Sequence, residues 1–355
     1  MGDDDSVIPK LCNMKALLGI VVGAGASYGI YKLVVSGKSR DNRAKKPKND
    51  HAVSEDDPEA KASSGSGAVL QPGTLLAKVS GLTLVHPSEN QAADVPSGEV
   101  LSKSPGSLEP QHLQMLVSLL HTSPSDRVQV LVTLGNAAAF SINQELIREF
   151  GGLHIIASLL SDPSPDVRVQ CLNALNNLSM NVRNQEQLKV YVPQVLELIE
   201  MSPVNSDLQL ASLRLLTNLS VTNDHQHLMK NSITLFLSLL VVSNETLQTQ
   251  VLKVLVNLSA NPDMIEDIVQ AQAPASLVLL FDGCTTPPVL LRLLTFVGNL
   301  RSWTPSAHVA EALQRSKDSL YCVLLGPSSQ LRHRLPLLLT HPDAQVSAQV
   351  ARLLT

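Results

Sequence analysis

Residues 143–180 read NQELIREFGGLHIIASLLSDPSPDVRVQCLNALNNLSM, and this stretch decides the fold. Apolar residues recur in it three and four positions apart, which places them on one face of an α-helix. The periodic pattern is interrupted twice, by a pair of glycines and by a polar, proline-containing turn. We therefore predict three helices, whose expected ends are Gly151-Gly152, Leu159-Leu160 and Asn177-Leu178-Ser179. Asp162 or Ser164 is expected to cap the third helix, and Pro165 suits its first turn.

The pattern of the third helix recurs around an asparagine at intervals of 39 to 42 residues. The five asparagines are Asn136, Asn177, Asn218, Asn257 and Asn299. Five positions before them stand Leu131, Leu172, Leu213, Leu252 and Leu294, and two positions before them stand Leu134, Leu175, Leu216, Leu255 and Val297. Four of the five are followed by leucine: Leu178, Leu219, Leu258 and Leu300. This spacing predicts one apolar helical face in every copy.

A single copy cannot bury its own apolar faces, whereas stacked copies bury a continuous core and form a superhelix. We therefore predict an all-α, right-handed superhelical solenoid over residues 109–355, with about five to six repeats. The last repeats are irregular, because the leucine pairs at 279–280 and 338–339 stand about 59 residues apart instead of 40. An insertion or a degraded repeat is expected there, followed by a terminal cap that contains Val346 and Val350.

The composition excludes several classes of protein. Aromatic residues make up only 3 % of the 355 residues, which is low for an all-β protein of this size. The net charge of −4 means that the chain has no overall excess of positive charge, so no nucleic-acid partner is expected. The repeats contain no phosphate-binding glycine loop, nucleophile elbow or paired-carboxylate motif. We therefore expect no enzyme, no cofactor and no catalytic residue.

The cysteines are widely separated and have neither disulfide-framework nor zinc-ligand spacing. They are Cys12, Cys171, Cys284 and Cys322. Reduced thiols in a cytosolic protein are the simplest interpretation. Cys12 directly precedes an apolar run, so reversible palmitoylation and an unmodified thiol are both open for it.

Residues 16–35, ALLGIVVGAGASYGIYKLVV, form an apolar run that is broken only by Lys32. About 20 helical residues cross the hydrocarbon core of a bilayer, and a lysine near one end can extend to the interface. We therefore predict a transmembrane signal-anchor helix at 16–35, after a short N-terminal segment at 1–15. The helix would bring the chain into contact with membrane lipid.

Basic residues at the end of the apolar run set its predicted orientation. They are Lys32, Lys38, Arg40, Arg43, Lys45, Lys46 and Lys48. Because positively charged flanks stay in the cytosol, the chain after Lys32 is predicted to be cytosolic. A signal peptide cleaved after Ala24-Gly25-Ala26 is the competing interpretation and would make the remainder extracellular. The acidic N terminus and the apolar residues beyond that site argue against cleavage.

Two Gly-x-x-x-Gly pairs lie inside the predicted anchor, Gly19 with Gly23 and Gly25 with Gly29. Small residues four apart let membrane helices approach closely and self-associate. A helix that is simply rich in small residues is the alternative.

Beyond the anchor, residues 36–108 are rich in Ser, Pro, Gly, Asp and Lys without periodicity, which predicts a disordered linker, basic at its start.

The stretch at 143–180 resembles an armadillo repeat along its whole length. A narrower resemblance is to the family formed by armadillo repeat-containing protein ten and its X-linked relatives. It rests on GAGASYGIYKL at 23–33, LGNAAAFSINQ at 134–144 and VTNDHQH at 221–227. It covers the anchor and the repeats but not the linker.

The narrower resemblance implies a scaffold anchored on the cytosolic face of the mitochondrial outer membrane, with a role in mitochondrial dynamics, distribution and trafficking. The partners that it implies are the mitochondrial Rho GTPase and the kinesin-adaptor machinery. The alternatives are an endoplasmic-reticulum-anchored adaptor and a soluble armadillo receptor in signalling or transport.

The wider resemblance implies a role for the five asparagines. In armadillo proteins an asparagine at this point of the third helix lines a groove and bonds the backbone of an extended peptide, since an amide both donates and accepts. Asn136, Asn177, Asn218, Asn257 and Asn299 are therefore the candidate partner-binding groove. The alternative is that their amides bond neighbouring helix ends and hold the stack together.

Importin-type proteins have tryptophan four positions earlier, where this chain has Val132, Asn173, Arg214, Lys253 and Thr295. Recognition of basic localisation signals is therefore not expected.

Two short motifs suggest other chemistry. The sequence Asp224-His225-Gln226-His227 contains a His-x-His pair. Two residues in this spacing do not share a helical face, so we expect no metal site. We expect instead a polar turn between helices, or a contact with a partner. Three of the five repeated asparagines, Asn177, Asn218 and Asn257, also match the N-glycosylation sequon. Their position in the repeat explains them without a glycan.

Overall fold

The computed structural model describes residues 108–355, and these residues are helical apart from short connections and one isolated antiparallel bridge between Gln272 and Ser319. The α-helices are α1 (Pro110–Thr122), α2 (Arg127–Ala137), α3 (Ser141–Glu149), α4 (Gly152–Ser158), α5 (Pro165–Leu178), α6 (Val182–Leu188), α7 (Val192–Met201), α8 (Asp207–Leu219), α9 (Asn223–Gln226), α10 (Ile233–Val242), α11 (Glu245–Ser259), α12 (Pro262–Gln270), α13 (Pro287–Arg301), α14 (Ala307–Arg315), α15 (Leu331–Arg334) and α16 (Ala344–Leu354). Short 3₁₀ turns lie at Pro124–Asp126, Leu159–Ser161, Lys189–Tyr191, His227–Ser232, Ala275–Leu280 and Leu335–Thr340, and a π-helical turn at Tyr321–Leu325.

Polar caps and prolines start many of these helices. Asn244 accepts a hydrogen bond from the Leu247 N–H (3.0 Å) at the start of α11, and Ser206 accepts one from the Gln209 N–H (3.2 Å) at the start of α8. Such caps satisfy N–H groups that have no partner within the helix. Pro165 opens α5 as predicted. The predicted side-chain cap on α5 is wrong, because Ser164 occupies the N-cap position without a capping bond and Asp162 instead accepts from the Ser164 N–H (2.9 Å).

The glycine pair separates α3 from α4 as the sequence predicts. Gly151 has a φ of 70°, a left-handed conformation that glycine adopts without steric cost. At Gly152 a Cβ atom would lie 2.8 Å from Cγ2 and 2.9 Å from the carbonyl oxygen of Ile147. The first glycine therefore allows the turn, and the second allows the close approach of the two helices.

The third helices of successive repeats pack against one another in chain order: α2, α5, α8, α11, α13 and α16. The leucines predicted to form their apolar face, and Val297, are all buried in one continuous core, each with a relative exposure of 0 %. The structure is therefore a stack in which each repeat covers the apolar face of the next. This confirms the predicted all-α solenoid of stacked helical repeats.

The irregularity predicted near the end of the sequence lies in the fifth and sixth repeats. In the fifth repeat, the second helix is reduced to the 3₁₀ turn Ala275–Leu280. In the sixth, extra residues follow α14 and include the π-helical turn, and the N–H of Leu320 there donates to the carbonyl of Ala271 (2.8 Å). Helix α16 packs on α13, with Val346 and Val350 fully buried.

Several predictions concern residues outside the described range. They are the N-terminal segment, the anchor helix at 16–35 with its four glycines, the basic cluster from Lys32 to Lys48, Cys12, and the linker up to residue 107. Among the helices of residues 108–355, none is long and apolar enough to span a bilayer.

Candidate functional site

The exposed sides of α2, α5, α8, α11 and α13 form one surface, which we call the third-helix face. The five candidate asparagines belong to these helices, one on each. Asn136 is exposed, Asn177, Asn218 and Asn299 are half-buried, and Asn257 is buried. The stacking of the helices thus brings side chains that are about 40 residues apart in sequence into one row.

Four of these asparagines bond the preceding repeat through their amide nitrogen. The acceptors are Gly135 O for Asn177 (2.8 Å), Asn176 O for Asn218 (3.0 Å), Thr217 O for Asn257 (3.2 Å) and Ser259 Oγ for Asn299 (3.0 Å). Asn218 and Asn257 also donate to the hydroxyls of Ser179 (3.0 Å) and Ser220 (2.9 Å). Each bond crosses from one third helix to the C-terminal end of the one before it. The amide nitrogens therefore couple neighbouring repeats.

The capacity of these asparagine side chains to form further hydrogen bonds differs along the row. Asn177 Oδ1 accepts from the side chain of Asn176 (3.2 Å). Within residues 108–355, the Oδ1 atoms of Asn218 and Asn299 accept no hydrogen bond, and Asn136 makes no side-chain hydrogen bond. An extended chain lying on the face could donate its backbone N–H groups to these oxygens. Partner binding by the five asparagines remains a prediction.

Sequence reasoning missed a second polar row, which lies on the first helices of three repeats. Gln144 donates to the carbonyls of Ala138 (2.8 Å) and Asn177 (3.1 Å). Its equivalents Gln185 and Gln226 donate to the carbonyls of Ser179 (2.8 Å) and Ser220 (2.7 Å). These glutamines are buried and satisfy carbonyls that have no partner at the C-terminal ends of the third helices. Their equal spacing of 41 residues was the available signal.

The expectation for residues 224–227 needs correction. His225 and Gln226 lie in helix α9 and not in a turn, and both are buried. Asp224 and His227 are exposed, and a partner contact by this segment stays a prediction. His225 Nε2 lies 2.9 Å from Glu186 Oε1. The pKa of Glu186 is lowered mainly by its hydrogen bond from Lys189 and, to a smaller extent, by its hydrogen bond with His225. No group of three or more His, Cys, Asp or Glu side chains that could hold a metal occurs in the described part of the chain.

Three cations lie on the third-helix face. Arg214 on α8 and Lys253 on α11 each stand four residues before the asparagine of their helix, and Arg292 on α13 stands seven before Asn299. With about 3.6 residues per turn, both offsets return the side chain to the side of the asparagine. Arg214 is exposed, whereas Lys253 and Arg292 are half-buried.

These cations lie on three successive third helices that pack against one another, and two of them, Lys253 and Arg292, are half-buried. Burial lowers the pKa of Lys253, and the positive charges of Arg292 and Arg214 lower it further. Burial also lowers the pKa of Arg292. The site therefore combines hydrogen-bonding amides with a concentration of positive charge, and it contains no activated nucleophile.

The fold and this surface define a class of protein: an all-α repeat scaffold of the kind commonly used for protein–protein interaction. A family model described as Armadillo-like matches residues 108–325, more than half of the chain. The chain belongs to this Armadillo-like family.

Solved structures of designed armadillo repeat proteins have the same fold. One is 18 % identical, with a TM-score of 0.55 over 67 % of this chain and 97 % of that chain. A second, in complex with the peptide (KR)4, is 16 % identical, with a TM-score of 0.55 over 68 % of this chain and 98 % of that chain. A third, computationally designed for modular peptide recognition, is 16 % identical with a TM-score of 0.56 over 68 % and 98 %.

Proposed function

We propose that this chain is a membrane-anchored protein-interaction scaffold on the cytosolic face of the mitochondrial outer membrane. Within the cell it would act as an adaptor in mitochondrial dynamics, distribution and trafficking. The observation that carries the binding role is the third-helix face, a continuous row of amide and cationic side chains on five successive repeats. A stack of repeats offers such an extended surface because each repeat adds the same positions again.

The form of the partner follows from the spare hydrogen-bonding capacity of the face. Asn218 and Asn299 are half-buried, and bonds from their own Nδ2 atoms to the stack hold in place the side chains that carry the Oδ1 atoms. Pre-ordered acceptors of this kind suit an extended segment, whose backbone N–H groups otherwise have no partner. A designed armadillo repeat protein with this fold has been solved in complex with the peptide (KR)4, which supports a peptide segment as the form of the partner here.

The proposed location depends on the sequence before residue 108. The apolar run at 16–35 has the length of a membrane span, and its basic flank favours a cytosolic repeat domain. The resemblance of residues 23–33, 134–144 and 221–227 to the family of X-linked mitochondrial armadillo proteins supports the mitochondrial outer membrane. On the basis of the same resemblance, we propose the mitochondrial Rho GTPase and the kinesin-adaptor machinery as partners.

Proximity labelling in intact cells tests this function. The labelling enzyme is fused after Thr355 of the full chain, and the control is the same fusion without residues 1–35. We expect cytosol-facing proteins of the mitochondrial outer membrane to be labelled by the full chain and lost with the control. Labelling dominated by endoplasmic-reticulum proteins would favour the alternative anchor, and an identical pattern for both fusions would contradict a membrane-anchored scaffold.

A further inference from the structure

Among residues 108–355, the three cations of the third-helix face have no acidic partner. Within residues 108–355, the ion pairs involve other basic residues, and none includes Arg214, Lys253 or Arg292. Lys253 Nζ donates only to Gln250 Oε1 (3.3 Å), and Arg292 Nη1 donates to the carbonyl of Pro288 (2.6 Å). The Nε atom of Arg292 is buried and has no hydrogen-bond partner in this part of the chain. Buried or half-buried cations without a counter-charge are costly.

The acidic residues of the same helices stand too far along the axis to neutralise these cations. On α8, Asp207 lies seven residues before Arg214, and on α11, Glu245 lies eight residues before Lys253. At about 1.5 Å per residue these separations are roughly 10–12 Å along the helix. Thr286 Oγ1 also donates to Glu245 Oε1 (2.9 Å), which ties that carboxylate to the start of α13. The middle of the third-helix face is therefore positively charged.

We propose that the third-helix face formed by α8, α11 and α13 binds an extended, acidic segment of a partner protein, with Arg214, Lys253 and Arg292 contacting its carboxylates. This inference rests on the proposed scaffold function and specifies the chemistry of the partner. An acidic segment would supply the missing counter-charges, and its backbone N–H groups would bond the oxygens of Asn218 and Asn299.

The spacing of the cations defines the segment. Packed helices lie about 8–10 Å apart, so two steps from α8 to α13 span roughly 16–20 Å. An extended chain advances about 3.3 Å per residue, so carboxylates at about every third residue over six residues match the three cations. The acidic stretch of this chain at residues 55–59 carries its charges over four residue steps, or about 13 Å, and interrupts them with Pro58. A partner segment therefore fits better than this stretch of the chain.

A peptide-binding measurement on the full chain in lipid nanodiscs tests the proposal. The probe is a fluorescein-labelled peptide of Glu-Ser-Ser units, and its binding is followed by fluorescence anisotropy at low salt. Matched peptides replace every Glu with Gln or with Lys. We expect the acidic peptide to bind, the Gln and Lys peptides to bind at least about tenfold more weakly, and added salt to weaken the acidic complex.

Matched protein variants locate the site. The double substitution Arg214→Gln with Lys253→Gln should weaken binding of the acidic peptide about ten- to thirtyfold, as expected for the loss of one exposed and one half-buried ion pair. The control, Arg183→Gln with Lys317→Gln, removes two charges from exposed residues outside the third helices and should leave binding unchanged. Arg214→Gln alone, at an exposed position, provides the test if the double variant does not fold.

Three results would overturn the proposal. One is equal binding by the double variant and the control, and another is preference for the Lys peptide. The third concerns the chain's own acidic stretch: if replacing Glu55, Asp56, Asp57 and Glu59 by their amides tightens peptide binding more than about tenfold, that stretch occupies the face and a partner does not. Failure of the unsubstituted full chain to bind the acidic peptide, with unchanged proximity labelling at mitochondria, would likewise reject this inference and leave the scaffold function standing.

Discussion

At the scale of single residues, the repeated asparagine joins one repeat to the next, and its substitution tests how much this bond stabilises the stack. Asn257 is buried and donates to Thr217 O and Ser220 Oγ. In Asn257→Ala these acceptors lose a donor that water cannot easily replace. We expect the free energy of unfolding to fall by about 1–3 kcal/mol, measured by urea denaturation of the full chain in detergent.

Asn136→Ala is the matched control for this prediction. Asn136 occupies the same position of the first described repeat but is exposed and makes no side-chain hydrogen bond within residues 108–355. Its replacement should change stability by less than about 0.5 kcal/mol. If Asn257→Ala is as stable as Asn136→Ala while partner binding per folded molecule drops, the bond to the stack is unimportant and the asparagine serves binding alone.

The cysteines allow a second prediction at this scale. Cys171 is fully buried and donates to the carbonyl of Ile156 (3.0 Å), whereas Cys284 is exposed. Burial, and to a smaller extent the charge of Asp162, raise the pKa of the Cys171 thiol far above its usual range. Because the thiolate is the reactive form, iodoacetamide should modify Cys284 in the folded protein and leave Cys171 unmodified until denaturant is added. Peptide mass spectrometry measures both sites, and equal rates in the native state would contradict the described packing.

Sequence reasoning located the apolar residues of the core better than the polar ones. Leucines at fixed offsets from an asparagine identify the buried face, because periodicity and burial have the same cause. Buried Gln144, Gln185 and Gln226 escaped notice because glutamine is usually exposed. Their burial depends on carbonyls that belong to other helices, and those partners are known only once the stack is formed.

At the scale of helices, boundaries were predictable where the signal is local. Glycine at 151 and 152 and proline at 165 act on their own backbone, and the predicted helix ends at these points are confirmed. The wrong predictions, a cap by Ser164 and a turn at 224–227, depended on competing contacts. Asp162 is held by Arg127 (2.8 Å), 35 residues earlier, and His225 is paired with Glu186, 39 residues earlier. Contacts between residues one repeat apart cannot be predicted from the few residues around each position.

The predicted anchor helix is the element with the clearest test. Deleting residues 1–35 from the full chain should move the protein from the membrane pellet to the soluble fraction, because no other helix that the structure describes can span a bilayer. Fractionation followed by a carbonate wash measures this. A matched control deletes residues 49–83 of the linker and should leave the protein in the membrane. If the chain without 1–35 still resists the carbonate wash, the anchor lies elsewhere.

At the scale of the whole molecule, the order of the stack was predictable because a solenoid is built from nearest-neighbour contacts. Each third helix packs on the next in chain order, so a period near 40 residues in the sequence becomes one step in space. The face that results is not predictable in the same way. Its charge arises from Arg214 and Lys253, which share one position of the repeat, and from Arg292, which stands about one helical turn earlier in its helix. The three residues are brought onto one face only by the packing of their helices.

The orientation of the whole chain in its membrane is the last prediction. The cluster of basic residues from Lys32 to Lys48 should hold everything after it in the cytosol, because positively charged flanks are translocated poorly. Protease added to intact mitochondria should therefore degrade the repeat domain, detected with an epitope after Thr355, while a matrix marker survives. The control is detergent lysis, after which both should be degraded. An epitope that is protected until lysis, or a shift in size on glycosidase treatment of the same chain, would place the repeats on the other side of a membrane, where the sequons at Asn177, Asn218 and Asn257 would be available to glycosylation.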